Sequence, residues 1–264
     1  MNRDFGDLLS DNGTCFGTWI KLPVVDSVEM MAAAGFDFVA IDMEHAPLDI
    51  LTVHQLIGAA RGCGIPALVR VPDRTATTIG RVLDSGAAGV LIPHVDNIDD
   101  VRAVVSHARF PPHGSRGFGP TVRAGGWGAD PRGYLATGER VVPVPQLESP
   151  EAIAAVDEIA RVSGLGALFV GPADLAVAAG LPAESAEFGE LLTRVRKAAD
   201  AHAVPLGTAV GSPAAAQALP HHYDFVLVGN DATMLSQSAR GIVHDLRTAR
   251  DTSSSSTGQP KDLP

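Results

Sequence analysis

The feature that most narrows what this chain can fold into is a rhythm. Short apolar runs alternate with stretches of helical spacing about eight times along its 264 residues. The runs fall at 15–20, 38–41, 65–69, 88–92, 141–147, 167–170, 204–208 and 224–228, and most are apolar throughout, as strands covered on both faces must be. Between them lie residues at helical intervals, such as Val25, Val28 and Met31, or Val53, Leu56 and Ile57 behind the capping candidate Asp49. About eight such alternations are what a parallel sheet needs to close on itself, so the expected fold is α/β, a single (β/α)8 TIM barrel over 1–250. An open doubly wound sheet is the competitor. It requires a glycine-rich nucleotide turn after the first strand, where this chain has GTWIKLP. The rhythm breaks once, at PPHGSRGFGPTVRAGGWGADPRG, which reads as a long excursion inserted into one barrel. The low-complexity end, DTSSSSTGQPKDLP, is expected to be a disordered tail over 251–264.

Charge and patterning exclude several functions. With 30 acidic against 20 basic side chains the net charge is -10, so the electrostatic footprint for nucleic acid or an anionic membrane is missing. No run approaches the roughly 20 apolar residues of a membrane span, and no signal-peptide core opens the chain, so a cytoplasmic protein is the default expectation. Cys15 and Cys63 show no metal-type spacing and read as small buried hydrophobes.

In a closed barrel chemistry gathers at the carboxyl ends of the strands. Those ends present Trp19 and Lys21, then Asp42, Glu44 and His45, then Arg70, His94, Gln146 and Glu148, Gly171 and Asp174, and finally Asn230 and Asp231. Glu148 and Asp174 leave adjacent strands, and two carboxylates completed by water and a chelating substrate suit Mg²⁺ or Mn²⁺. The plainer reading is that each caps the helix that follows it. Gly171-Pro172-Ala173 opens a helix whose backbone N–H groups offer an anion site. Arg70 adds a planar fork for a carboxylate, or else forms a structural ion pair with an acid such as Asp42. Together they outline a pocket for a small 2-oxo acid. Trp19 either lines that pocket or fills the barrel, and His94 is either a site residue or a neighbour of one.

The motifs IDMEHAPLD, VRVP, LIPHV, PPHGSRGFG, PQLES and FVGPADL, in this order and at these separations, closely resemble the HpcH/HpaI aldolase family. The resemblance spans roughly 14–248 and implies a barrel of the phosphoenolpyruvate/pyruvate type and a class II aldolase. Such enzymes cleave or form 4-hydroxy-2-oxo acids, giving pyruvate and an aldehyde. It further implies a divalent cation, Mg²⁺, Mn²⁺ or Co²⁺, on Glu148 and Asp174, with Arg70 at the pyruvate carboxylate and oxo group. His45 would be the acid/base, positioned by Asp42 and supported by Asp84, with Gln146 lining the site. A homo-oligomer is implied as well, a hexamer built as a trimer of dimers that exchange C-terminal helices. The chemistry fits these residue types, because cleavage removes the 4-hydroxyl proton while electrons flow into the 2-oxo group. A base and an electron sink are both needed, and an imidazole, ordinarily titrating near about 6.5, can supply the first at neutral pH.

Three alternatives remain at this level. A Schiff-base aldolase would require a desolvated lysine at a strand end, a position only Lys21 occupies. A condensing or CoA-ester lyase of the same fold would use the arginines of the 114–123 loop. A non-catalytic 2-oxo acid binding barrel would bind without turnover.

Overall fold

The computed structural model describes residues 4–11, 13–220 and 222–255. Helix α1 (Phe5–Leu9) precedes strand β1 (Cys15–Ile20), followed by α2 (Val25–Ala33), β2 (Phe38–Asp42), α3 (Ile50–Cys63), β3 (Ala67–Arg70), α4 (Ala76–Asp84), β4 (Gly89–Ile92) and α5 (Ile98–Ala108). After a 3-10 turn at Arg123–Gly128 come α6 (Pro131–Arg140), β5 (Val142–Leu147), α7 (Pro150–Ala154), α8 (Val156–Ile159), β6 (Leu168–Val170), α9 (Pro172–Ala179), α10 (Ala186–Ala201), β7 (Leu206–Val210), α11 (Pro213–Gln217), β8 (Phe225–Asn230) and α12 (Asp231–Ser255). Every strand pairs in parallel with its sequence neighbour and β8 pairs back with β1, closing the expected barrel.

The period of two along each strand sorts side chains into two cores. Val39, Ile41, Val69, Val90 and Ile92 pack outward against the helices. Phe38, Ala40, Leu68, Leu91, Val142, Val144, Phe169, Phe225 and Leu227 fill the barrel, and α1 plugs its lower end with Phe5 and Leu8. The Phe5 ring meets Phe38 at 5.0 Å and Phe225 at 5.4 Å between centroids, both edge to face. Space is tight enough that a Cβ at Gly17 would lie 2.5 Å from the Phe38 ring. Counting by two from these inner residues carries Trp19, Asp42, Arg70 and Gln146 onto the same inward face one layer higher, and Glu148 one step beyond Gln146. Sequence alternation alone therefore aims these polar groups at the mouth.

Several boundaries differ from the sequence reading, each for a local reason. Strands β3 and β7 begin after Pro66 and Pro205, which have no N–H to donate to a ladder. The excursion at 111–133 is not structureless. Asp130 caps α6, accepting from the Gly133 N–H at 2.8 Å, and Pro131 takes the first helical position. Its arginines are committed internally: Arg116 to Asp84 and Tyr134, and Arg123 to the His54 carbonyl and ring and to the Ser85 carbonyl. They are therefore staples of the loop, not free cations for a CoA. Helix α12 continues through Ser255, so the expected tail does not start at 251; residues 256–264 lie outside the described ones. Cys15 is buried as expected, whereas Cys63 is exposed at the end of α3.

Candidate active site

Asp42 is the hinge of the mouth. It is fully buried at the end of β2, and its Oδ1 accepts the backbone N–H groups of Glu44 and His45, both at 3.1 Å, which turns the chain sharply off the strand. Arg70, opposite it on β3, grips the same carboxylate with two bonds, Nε to Oδ1 at 2.9 Å and Nη2 to Oδ2 at 2.7 Å. Lys21 Nζ reaches Oδ2 at 2.5 Å. The Trp19 indole lies under the guanidinium, with Arg70 Cζ 4.4 Å from the ring centroid, and turns its edge to Phe169. Trp19 is thus half-buried wall, joining the barrel core to the site.

Burial alone would raise the Asp42 pKa. The hydrogen bonds and charge of Arg70 and the bond from Lys21 overcome it and hold the carboxyl at about 2, below its ordinary 3.8. A carboxyl depressed by folding contributes stability that is full above its unfolded pKa and lost as pH falls through the folded one. Stability should therefore drop by about 2 kcal/mol between about pH 4 and pH 2 on account of Asp42. Urea melts across that range check this against Asp42→Asn, and identical slopes for the two proteins would refute it.

Beyond Arg70 a second acid group assembles. Arg70 Nη1 lies 3.1 Å from Glu44 Oε2, without hydrogen-bond alignment. Burial pushes the Glu44 carboxyl up, the charge of Glu148 adds to this, and Arg70, His45 and His94 pull against it. His94 stands between the two acids: Nδ1 is 3.0 Å from Glu148 Oε1 and Nε2 is 3.3 Å from Glu44 Oε1. Gln146 donates its amide N–H to Glu148 Oε2, while its own Oε1 is buried with no partner among the described residues. Gly171 packs over this pair, and a Cβ there would lie 3.0 Å from Gln146 Nε2 and 3.6 Å from Glu148 Oε2. Glycine is what leaves the carboxylate approachable.

Capping does not account for Glu148 or Asp174. Ser149 caps α7, accepting from Ala152 N–H at 3.1 Å, and α9 has no side-chain cap. Glu148 is buried, and Asp174, in the first turn of α9, is exposed with no hydrogen bond or ion pair among the described residues. Among those residues no three His, Cys, Asp or Glu side chains are arranged to enclose a metal by themselves. Glu148 with the unpartnered Gln146 Oε1, and the exposed Asp174 in the first turn of α9, are oxygen donors of the kind a hard cation accepts when it keeps water and substrate among its ligands.

Three expected roles take a different geometry within the chain. Asp42 holds the backbone of His45, not its ring, which is exposed and has Glu44 Oε2 at 3.8 Å as its acidic neighbour. Asp84 ends α4, at the opposite pole of the barrel, and within the chain it does not reach His45. Its Oδ1 accepts from Tyr134 Oη at 2.6 Å and Arg116 Nη2 at 2.8 Å, and burial followed by that bond pushes Tyr134 up to about 12. Of the backbone donors at 171–173, the Gly171 N–H is taken by the Leu147 carbonyl at 3.2 Å and Pro172 has none, which leaves Ala173. Glu44 and His94, absent from the expected catalytic set, stand inside it. For Glu44 the signal was its place two residues beyond inward-facing Asp42.

A closed parallel barrel whose carboxyl ends, β2 to β6, carry buried acids and an arginine flanked by two exposed histidines is an enzyme-type barrel built for a small anionic ligand. The model of the HpcH/HpaI aldolase/citrate lyase family matches residues 16–238, and the chain belongs to that family. It is 39% identical over 249 residues to a 4-hydroxy-2-oxovalerate aldolase of Rhodococcus jostii (strain RHA1), covering 91% of this chain and 94% of the relative. It is 35% identical to a 5-keto-4-deoxy-D-glucarate aldolase of Enterobacter sp. (strain 638), over 88% and 91% of the two chains. Among solved structures, an HpcH/HpaI aldolase/citrate lyase family protein from Burkholderia cenocepacia J2315 superposes with a TM-score of 0.85 at 33% identity, covering 91% of this chain and 97% of that one.

Proposed function

We propose that this chain is a divalent-metal-dependent pyruvate aldolase, cleaving 4-hydroxy-2-oxo acids to pyruvate and an aldehyde and running the reverse addition. The observation that carries this reading is the convergence of Glu148, the unpartnered Gln146 Oε1 and the Gly171 cradle, joined through His94 and Glu44 to Arg70. A cation on Glu148 and Asp174 would supply Lewis-acid polarisation of the 2-oxo oxygen. The protein's own groups do the rest. Arg70, its other two nitrogens fixed on Asp42, has Nη1 to share between Glu44 and a substrate carboxylate or oxo oxygen, and the Ala173 N–H adds a neutral donor. His45 takes the proton of the 4-hydroxyl as the C3–C4 bond parts and its electron pair passes into the pyruvate enolate, and the protonated imidazole then returns that proton to C3 to complete pyruvate and regenerate the base. Lys21 is engaged by Asp42, the opposite of the unpaired, desolvated amine that Schiff-base chemistry requires.

Pyruvate release from a panel of 4-hydroxy-2-oxo acids, with Mg²⁺, Mn²⁺, Co²⁺ or chelator, tests the reading; turnover that ignores chelator ends the metal assignment. Arg70→Lys should weaken pyruvate binding by about 10- to 100-fold, since one ammonium cannot hold Asp42 twice and still present a donor. Calorimetric titration with pyruvate measures this, and wild-type affinity would make Arg70 purely structural.

The same reading includes a homo-oligomer, a hexamer formed as a trimer of dimers. In its support, α12 leaves Leu235, Ile242, Val243 and Leu246 exposed on a long helix, an apolar stripe that a second copy would cover. Sedimentation equilibrium at micromolar concentration decides, and a monomer would refute it.

A further inference from the structure

His94 is one of three non-glycine residues with a positive φ among the described ones, at +55°. Such a backbone is costly for a side chain bearing a Cβ and persists only where its surroundings hold it. Apolar packing does not hold it here, because the imidazole is 72% exposed. The flanking residues explain the constraint. Ile92 and Val95 are both fully buried in the core between strands and helices, so the chain must cross the mouth in two residues, Pro93 and His94. The value of φ sets the angle between the peptide plane carrying the His94 N–H and the chain that follows. With Val95 anchored, the left-handed value turns that N–H inward, where it donates to Glu148 Oε1 at 2.7 Å. The ring then closes on the same oxygen through Nδ1 at 3.0 Å and spans to Glu44 Oε1 through Nε2 at 3.3 Å. Ring and backbone point the same way: the ring lies within ion-pair distance of both acids, without hydrogen-bond alignment to either, and the backbone conformation aims the amide.

We propose that His94 is a positioning residue whose left-handed backbone fixes the direction of the Glu148 carboxylate, and that this conformation, not the imidazole as such, sets the affinity of the mouth for a divalent cation. The inference rests on the metal reading of the site. With Oε1 held by the His94 amide and Oε2 by the Gln146 amide, the carboxylate plane cannot swing toward Glu44, so its remaining lone pairs keep one direction.

The test needs no turnover. Mn²⁺ binding to the full-length protein is followed through the electron paramagnetic resonance signal of the free ion, for wild type and for His94→Ala, His94→Gly and His94→Asn, with circular dichroism reporting the fold. Alanine keeps the Cβ that disfavours a left-handed backbone and loses the ring's two acidic neighbours, so the amide turns away from Glu148 and Mn²⁺ affinity falls roughly tenfold, as for other groups that orient a ligand. Glycine and asparagine are at home in the left-handed region and keep the amide in place, so both stay within about threefold of wild type. A structural role for the ring alone would not yield this ranking. Glycine and asparagine binding as weakly as alanine would make the imidazole the contact and overturn the proposal. Equal affinity in all four proteins would make His94 a bystander. Absence of Mn²⁺ binding by wild type would remove the metal reading and the proposal together, an outcome distinct from the other two because in those the wild type binds.

Discussion

Glu148→Gln is expected to abolish divalent-ion-dependent pyruvate release, by about 10³-fold or more, because Lewis-acid stabilisation is worth several kcal/mol and each decade of rate takes about 1.4 kcal/mol. The fold should survive. Glutamine has the same shape, its carbonyl oxygen can still accept the His94 N–H, Gln146 can turn its unpartnered Oε1 to accept from the new amide N–H, and the substitution removes a charge that helps push the Glu44 carboxyl up. A thermal melt alongside single-turnover pyruvate release therefore separates lost chemistry from lost structure. Retention of full, chelator-sensitive turnover would mean that the cation sits elsewhere.

His45→Ala should lower turnover by about 10²- to 10⁴-fold, the usual range for removing a general base. The imidazole is exposed and belongs to no buried network, and the backbone N–H that closes the turn on Asp42 remains in the variant. Stability should accordingly stay within about 0.5 kcal/mol of wild type, as for surface substitutions away from special features. An unchanged rate would move the role of base to another group, and Glu44, buried beside Arg70, would be the next to replace.

The strands were legible because burial on both faces leaves continuous apolar runs, and their polar ends were legible because alternation carries inward parity from Phe38 and Ala40 to Asp42, or from Val144 to Gln146 and Glu148. Helix α6 was obscured by the glycines around it, although Asp130-Pro131 marked its start. The division of labour among the acids was not legible. Asp42 and Arg70 are 28 residues apart and meet only because β2 and β3 are neighbours in register, Asp42 opposite Arg70. Asp84, a support for His45 only by family resemblance, ends α4 at the far pole of the same chain, where Arg116 and Tyr134 hold it.

By itself, then, the sequence determined the closed barrel and the set of side chains delivered to its mouth, since both follow from local periodicity and the direction of each strand. Only the tertiary structure decided which carboxylate is neutralised by Arg70 and Lys21, which is left between His94 and Gln146, and that His94 adopts a left-handed backbone. Those outcomes depend on contacts between strands far apart in sequence and on the anchoring of Ile92 and Val95 in the core, neither of which is encoded in any short stretch of chain.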